Sequence, residues 1–334
     1  MSELHEAWRK LEVSAPGGDG FVRLRLSEPE KPALYAGRRR NDGYEALLLE
    51  VPTAALPPEL ELPRAEGLEI RGTPVVRGPG GRTCLHVAFA DERYRDVFSA
   101  LAVDIYATVI DASSDADAVL RFVARIERWQ AFLRRHGPGG LSLEAQRGLF
   151  GELWFMQRLL EEGLAAGLVV ARWRGPDRDA HDFQLPAVAI EVKTTKAATP
   201  KAIPFSNIKQ LDDRGLPMLL IYLLQVEESS TAPLSLPQLV KTLKDRFEER
   251  CRNLFDEKLF DIGYTEEQFA EEVTPRYAIR RERWFHVAKG FPRLLEPDLP
   301  PGIIDVKFSV NLAACLPYES QREDVIPALR ISVV

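Results

Sequence analysis

The sequence is poor in the residues on which several common chemistries depend. It has three cysteines in 334 residues, Cys84, Cys251 and Cys315, far apart and odd in number. That usage argues against a disulfide framework and against a CxxC metal site, and implies free or buried thiols in a reducing compartment. No apolar run approaches the length of a membrane span, and the opening MSELHEAWRK lacks an apolar signal core. The expectation is a soluble, cytoplasmic protein with no membrane partner. Internal repeats are missing too. The Gly-rich loops APGGDG, RGPGGR and HGPGG do not continue into GKS or GKT at a helix start, so they read as turns rather than phosphate cradles.

What is present is an ordinary globular balance, 45% hydrophobic and 28% charged, with a formal net charge of −6. A well-buried core with little disorder follows. The length suffices for one large domain or two ordinary ones. On an acidic chain, any nucleic acid has to meet a local basic patch.

Residues 1–137 read as a β-rich region followed by helices. Strand character appears at Phe21 to Leu26, Tyr44 to Val51, Leu68 to Val76 and Thr83 to Ala90, separated by Pro- and Gly-rich joints. Helical periodicity then covers Tyr94 to Asp111 and Asp115 to His136, with Ser114 or Asp115 as the cap of the second. The break HGPGG opens a second domain, residues 138–334. It reads as a helix at Ser142 to Glu162, strands at His181 to Leu185 and Ala187 to Thr195, and an apolar central strand at Met218 to Val226. A helix from Ser235 to Arg250 opens on a Ser235–Gln238 capping box, and strands at Tyr277 to Val287 and Ile303 to Leu312 complete it. Interleaved helices and strands give an α/β class.

Chemistry concentrates in WRGPDRDAHDFQLPAVAIEVKTTK, Trp173 to Lys196. Within it Asp182, Glu191 and Lys193 form D-x8-E-x-K across two strands with a tight joint at Leu185–Pro186. Glu191 and Lys193 share one strand face, and Ile190 and Val192 point into the core on the other. Paired strands would set Asp182 beside Glu191. Two such carboxylates repel each other unless a cation lies between them. Mg²⁺ suits an all-oxygen site of one or two carboxylates, water and substrate phosphate, with Mn²⁺ as a possible substitute. There a cation polarises phosphate and helps deprotonate water. Lys193 would orient that water or offset charge on phosphorus. The same pattern also occurs on plain charged strand faces.

Neighbouring residues bear on the choice. Glu152 interrupts the otherwise apolar helical stripe Ala145, Leu149, Met156 and Leu159. A carboxylate there is costly unless paired or metal-bound, so it joins the candidate metal set; an arginine salt bridge or a place at the stripe's edge is the alternative. Gln210, in PFSNIKQLDD, could contact phosphate, orient a ligand or simply be solvated. Arg172, Arg174, Arg178, Lys193, Lys196, Lys201 and Lys209 make the motif's surroundings basic, as phosphate contacts require. Further basic runs are Arg38 to Arg40 and RRERW, Arg280 to Trp284, each readable as a duplex track or a solvated strand. His181 points away from Asp182 on a regular strand and reads as structural.

Taken in order, Glu152, Asp182, Glu191, Lys193 and Gln210 resemble the PD-(D/E)XK nuclease superfamily. More narrowly, GLFGELWFMQRLL, HDFQL, AIEVKTTK and SNIKQLDD resemble a bacterial PD-(D/E)XK family whose members often sit in restriction or phage-defence gene clusters, beside helicase-like or MutL-like ATPases. The resemblance covers nearly the whole chain. It implies a restriction-endonuclease-like core with an N-terminal β-rich region and connecting helices. It also implies Asp182 and Glu191 as metal ligands, Glu152 as the additional helix carboxylate, Lys193 as the catalytic lysine and Gln210 as an accessory residue. The literal Pro–Asp pair is Pro176–Asp177, so Asp177 and Asp179 stand as alternatives to Asp182.

The expectation is therefore a Mg²⁺-dependent DNA endonuclease of a restriction or anti-phage system, with the N-terminal region binding target or partner. Cutting both strands favours a homodimer or a nuclease–ATPase assembly. The alternatives are a non-catalytic nucleic-acid-binding or assembly subunit, and an RNA- or structure-specific nuclease.

Overall fold

A computed structural model describes residues 3–11, 18–75, 81–177, 179–266, 269 and 274–330. The chain divides into two compact units, Met1–Gly140 with Thr265–Gln268, and Leu141–Tyr264 with Phe269–Val334.

In the first unit α1 (Glu3–Leu11) precedes strands β1 (Phe21–Arg25), β2 (Ala33–Arg39), β3 (Glu45–Pro52), β4 (Leu68–Pro74) and β5 (Arg82–Phe89). Helices α2 (Arg95–Val109) and α3 (Asp115–His136) follow. The sheet is antiparallel in the order β1-β2-β3-β5-β4. Four of these strands fall where alternation predicts them, Val76 and most of RGPGGR lying outside the described residues. Strand β2 escapes sequence reading because Pro32 and Gly37 interrupt its pattern. A Cβ at Gly37 would stand 2.3 Å from Leu48 Cδ1, so a larger residue there would have to turn the Leu48 side chain aside. Ser114 caps α3 by accepting the Asp117 N–H. The Arg38–Arg40 run is built into the unit rather than left as a free basic track. Arg38 pairs with Glu45 and donates to the Trp8 and Gly43 carbonyls, and Arg39 pairs with Asp42 and Glu69.

The second unit begins with α4 (Leu143–Glu161), capped by Ser142, and α5 (Ala166–Arg172). Strands β6 (Phe183–Leu185), β7 (Val188–Thr195), β8 (Ala202–Phe205), β9 (Leu219–Glu228) and β10 (Leu234–Ser235) follow. Then come α6 (Leu236–Lys244), α7 (Glu249–Ile262), β11 (Arg276–His286), β12 (Phe308–Asn311), α8 (Leu312–Cys315), β13 (Glu319–Ser320) and α9 (Arg322–Arg330). The main sheet runs β10-β11-β9-β7-β6 with β13 on β11, and β8 and β12 form a separate ribbon. Among the described residues only β7 and β9 pair in parallel. Both units mix helices with sheets, as the α/β class requires.

Strand β9 is buried from Leu219 to Leu224, which explains its unbroken apolar run. One sheet face, with Ile190, Val192, Leu220, Tyr222 and Leu224, packs against Leu149, Leu153, Phe155 and Met156 of α4. The other, with Ala189, Leu219, Ile221 and Leu223, meets Ile203, Phe205 and Val310 of the β8–β12 ribbon.

Two expectations change. The helix expected from Ser235 to Arg250 keeps its capping box but ends at Lys244, and a second helix starts at Glu249. Phe247 turns inward to 3% exposure, and Arg252 donates to the Lys244 and Phe247 carbonyls freed by the break. The strand expected from Ile303 to Leu312 shortens to β12, leaving Ile303 and Ile304 exposed. Strand β8 was hidden by Pro204, which a strand paired on one side tolerates. All three cysteines are free thiols, Cys84 and Cys315 buried. Among the described residues no helix is long and apolar enough to cross a membrane.

Candidate active site

The β6–β7 hairpin creates the site. Its register pairs Phe183 with Ile190, so the next position outward sets Asp182 opposite Glu191. Here β6 ends, and the following β7 amide needs another acceptor. Asp182 supplies it, taking the Val192 N–H at 2.8 Å. Asp182 thus sits just before the regular strand and not inside it, while its main-chain oxygen accepts the Arg174 N–H at 2.7 Å.

Alternation on β7 puts Glu191 and Lys193 on one face. Glu191 is only 1% exposed. Its Oε1 lies 2.7 Å from Lys193 Nζ and accepts the Gln210 amide at 2.6 Å. Gln210 is fixed in turn, its oxygen accepting the Ser206 N–H at 2.9 Å. The ammonium of Lys193 lies over Phe205, with Nζ 5.2 Å from the ring centre. Glu191 Oε2 is buried with no partner among the described residues.

Helix α4 brings Glu152 to the same place. Leu149, Met156 and Leu159 are buried as the stripe predicts, but Ala145 is exposed and Glu152 sits at the stripe's edge, partly open to the cleft. Its partner is the Trp173 indole, which donates to Oε2 at 2.7 Å, and no arginine among the described residues bridges to it. Glu152, Asp182, Glu191, Lys193 and Gln210 all line one cleft of about 630 Å³. Among the described residues no three His, Cys, Asp or Glu side chains are grouped to hold one ion. The hairpin therefore offers a two-carboxylate set, with Glu152 beside it.

Burial pushes all three carboxyls above their ordinary range. For Glu191 desolvation dominates, the Asp182 charge adds to it, and the proton is held up to about pH 8 despite Lys193 and Gln210. Desolvation also raises Asp182, against the pull of Lys193 and the Val192 amide. Glu152 goes up through desolvation and then through the Asp182 charge, opposed by the Trp173 hydrogen bond. Such a cluster is short of positive charge. A buried unpartnered carboxylate oxygen and an oxygen-only donor set fit a hard divalent cation held by Asp182 and Glu191, with water and phosphate oxygens completing its shell.

The alternatives to Asp182 are engaged elsewhere. Asp177 pairs with Arg174 and Lys258, Asp179 pairs with Arg174, and neither lines the cleft. His181 is buried outside the cleft, and its pKa is lowered by desolvation. The expected basic surround is thinner than its sequence suggests. Arg174 is neutralised as above, Lys196 pairs with Glu228, Arg178 lies outside the described residues, and Arg172, Lys201 and Lys209 do not line the cleft. The RRERW run is likewise tied up, with Arg280 on Glu227, Arg283 forked onto Glu319, and Glu282 accepting from Tyr222 and Arg158.

Sequence reasoning missed Arg147, Lys307, Phe308 and Ser309, which line the cleft. Arg147 had no signal, since five residues before Glu152 on α4 falls outside the spacing that places two helical residues side by side. Lys307 to Ser309 had none, because they reach the site only through the pairing of β12 with β8.

No curated protein and no solved structure matches this chain. A family model does match, over residues 4–313. By that match the chain belongs to the family described as "Putative PD-(D/E)XK family member (DUF4420)".

Proposed function

We propose that the second unit is a divalent-cation-dependent nuclease that hydrolyses phosphodiester bonds in DNA. The observation that carries this reading is the convergence of Asp182, Glu191, Lys193 and Gln210 on one cleft, with a buried unpartnered oxygen on Glu191. Family membership supports it, since PD-(D/E)XK proteins are usually nucleases that use divalent metals. Mg²⁺ is the proposed cofactor, with Mn²⁺ able to replace it.

The bound cation supplies Lewis acidity at the phosphate and a lower pKa for water. Asp182 and Glu191 would hold it, Glu191 through the oxygen that has no partner among the described residues. Gln210 donates to the other Glu191 oxygen and so fixes the carboxylate in place. Lys193 has its charge beside that carboxylate, where it can orient the attacking water or offset charge on the phosphoryl oxygens. Lys307 supplies a phosphate contact on the cleft wall, whereas Arg147 lies within 3.7 Å of Glu228 and would have to share its charge.

A place in restriction or phage defence, a homodimer and a helicase-like or MutL-like ATPase partner complete the proposal. The first unit would contact target or partner. Incubation of labelled DNA with wild type, Glu191→Ala and Lys193→Ala in Mg²⁺ tests the activity. Cutting by wild type alone supports the reading. Equal cutting by all three refutes the site, and no cutting together with no cation binding leaves a non-catalytic subunit.

A further inference from the structure

The segment Trp173–Gly175 is held at several points beside Glu152, and the proposed catalysis gives it no task. Trp173 is fully buried, yet its polar atom is directed at a charged partner, donating from Nε1 to Glu152 Oε2 at 2.7 Å. Its ring packs at 5.8 Å from Phe255 of α7. Lys258, also on α7 and 9% exposed, donates to the Trp173 carbonyl and lies 3.4 Å from Asp177. A buried lysine is costly unless its ammonium is satisfied, so this anchor has a structural price that must be offset.

Two residues on, a Cβ at Gly175 would stand 2.3 Å from Glu152 Oε2 and 3.1 Å from Trp173 Nε1. The backbone closes against the carboxylate, so a larger residue there would push the Glu152 carboxylate aside. Between them, Arg174 gives its N–H to the Asp182 main-chain oxygen, and Trp173 bridges Phe183. One short segment therefore grips the helix carboxylate with a side chain and the strand carrying Asp182 with its backbone. It adds a polar tie between helix and hairpin to the apolar packing of Phe155 on Phe183 that already seats one on the other.

We propose that Trp173 is a positioning residue: its indole N–H, acting through Glu152 and seated by Gly175 and Lys258, sets how tightly the Asp182–Glu191 pair holds a divalent cation. The proposal rests on the nuclease reading for the cation's purpose, but not for its binding. Hydrogen-bond partners of groups beside a metal typically change affinity by about 10- to 100-fold when removed. Glu152 Oε1, with no partner among the described residues, is the atom left available to the cation's water.

The test is calorimetric titration of DNA-free protein with Mn²⁺, for wild type, Trp173→Phe, Glu152→Gln and the double variant. Phenylalanine keeps a six-membered ring against Phe255 and removes the donor together with the pyrrole part of the indole, and a melting curve reads what that lost volume costs the fold. Trp173→Phe should weaken Mn²⁺ binding about tenfold or more. In the Glu152→Gln background it should add nothing, because it acts through that carboxylate. Should Trp173→Phe unfold, Gly175→Ala retains the indole and pushes on Glu152 Oε2, with the same loss expected. Wild-type affinity in every folded variant, or additive losses in the double variant, overturns the proposal. If wild type binds Mn²⁺ but cuts no DNA, the nuclease reading fails and the Trp173 role stands. If wild type cuts and Trp173→Phe binds normally, the reverse holds.

Discussion

Lys193 Nζ and Glu191 Oε1 stand 2.7 Å apart, on the same face of β7 and in the same cleft. The pair makes the two residues interdependent. Lys193→Ala leaves a buried carboxylate with Gln210 alone, and Glu191→Ala removes a cation ligand. For DNA cleavage in Mg²⁺, Lys193→Ala should lower turnover by about 10²–10³, the loss typical of an electrostatic stabiliser, while Mn²⁺ binding persists. Glu191→Ala should lose both. Single-turnover rates and calorimetry on the two variants separate these outcomes, and retention of Mn²⁺ affinity by Glu191→Ala would count against it as a ligand.

The raised carboxyl pKa values carry a stability consequence. An ordinary Glu gives up its proton near pH 4.3, and Glu191 keeps it to about 8. Between these values the folded protein binds more protons than the unfolded chain, so stability falls as pH rises. The contribution is full below about pH 4 and gone above about 8, and Asp182 acts in the same direction. Without divalent cation, wild type should therefore lose Tm relative to Glu191→Gln on going from pH 5.5 to 8. Excess Mg²⁺ should restore more Tm at pH 8 than at 5.5, because it binds the ionised pair. A Tm difference between the two proteins that is independent of pH would contradict the shift.

Lys307 is the cleft's basic residue furthest in sequence from the motif, and it is exposed on β12's approach. If it contacts phosphate, Lys307→Ala should weaken DNA binding without regard to sequence. The slope of log K against log salt should fall by about one. Fluorescence anisotropy over a salt series on a Glu191→Ala background reads this without cleavage. An unchanged slope would remove Lys307 from the DNA path.

How much of this was legible in the sequence depends on where each contact is made. Asp182, Glu191 and Lys193 lie on one hairpin, so alternation and a short turn suffice to bring them together. Glu152 was visible as a charge interrupting an apolar stripe, although its partner Trp173 was not, since the link crosses from α4 to a loop. Gln210 showed no distinguishing pattern, and its importance comes from accepting the Ser206 N–H while donating to Glu191. The basic surround was overread because sequence shows charges but not their partners. Arg174 looks free until Asp177 and Asp179 fold onto it. Lys307 and Phe308 were unreadable for the opposite reason, as strand pairing across a long separation leaves no local trace.

The seat of α4 on β7 decides whether Glu152 reaches the hairpin at all, and it turns on Gly151. A Cβ there would stand 1.8 Å from Thr194 Oγ1 and 3.1 Å from Thr194 Cβ. Rotating the β-branched Thr194 relieves the first contact but not the second, so helix and strand must part slightly. Gly151 is a poor helix former, and alanine would ordinarily stabilise an interior helical position by about 1 kcal/mol. Here the overpacking cost of about 1–3 kcal/mol should win, giving Gly151→Ala a lower Tm. Thr194→Ala should recover part of the loss, because the nearer atom it removes is a buried hydroxyl with no partner among the described residues. Because the parted helix carries Glu152, Gly151→Ala should also weaken Mn²⁺ binding more than its loss of stability alone would explain. Thermal melts of the single and double variants, with calorimetry at a temperature where all are folded, check both. A Gly151→Ala protein as stable as wild type would show that the helix is not seated by this contact.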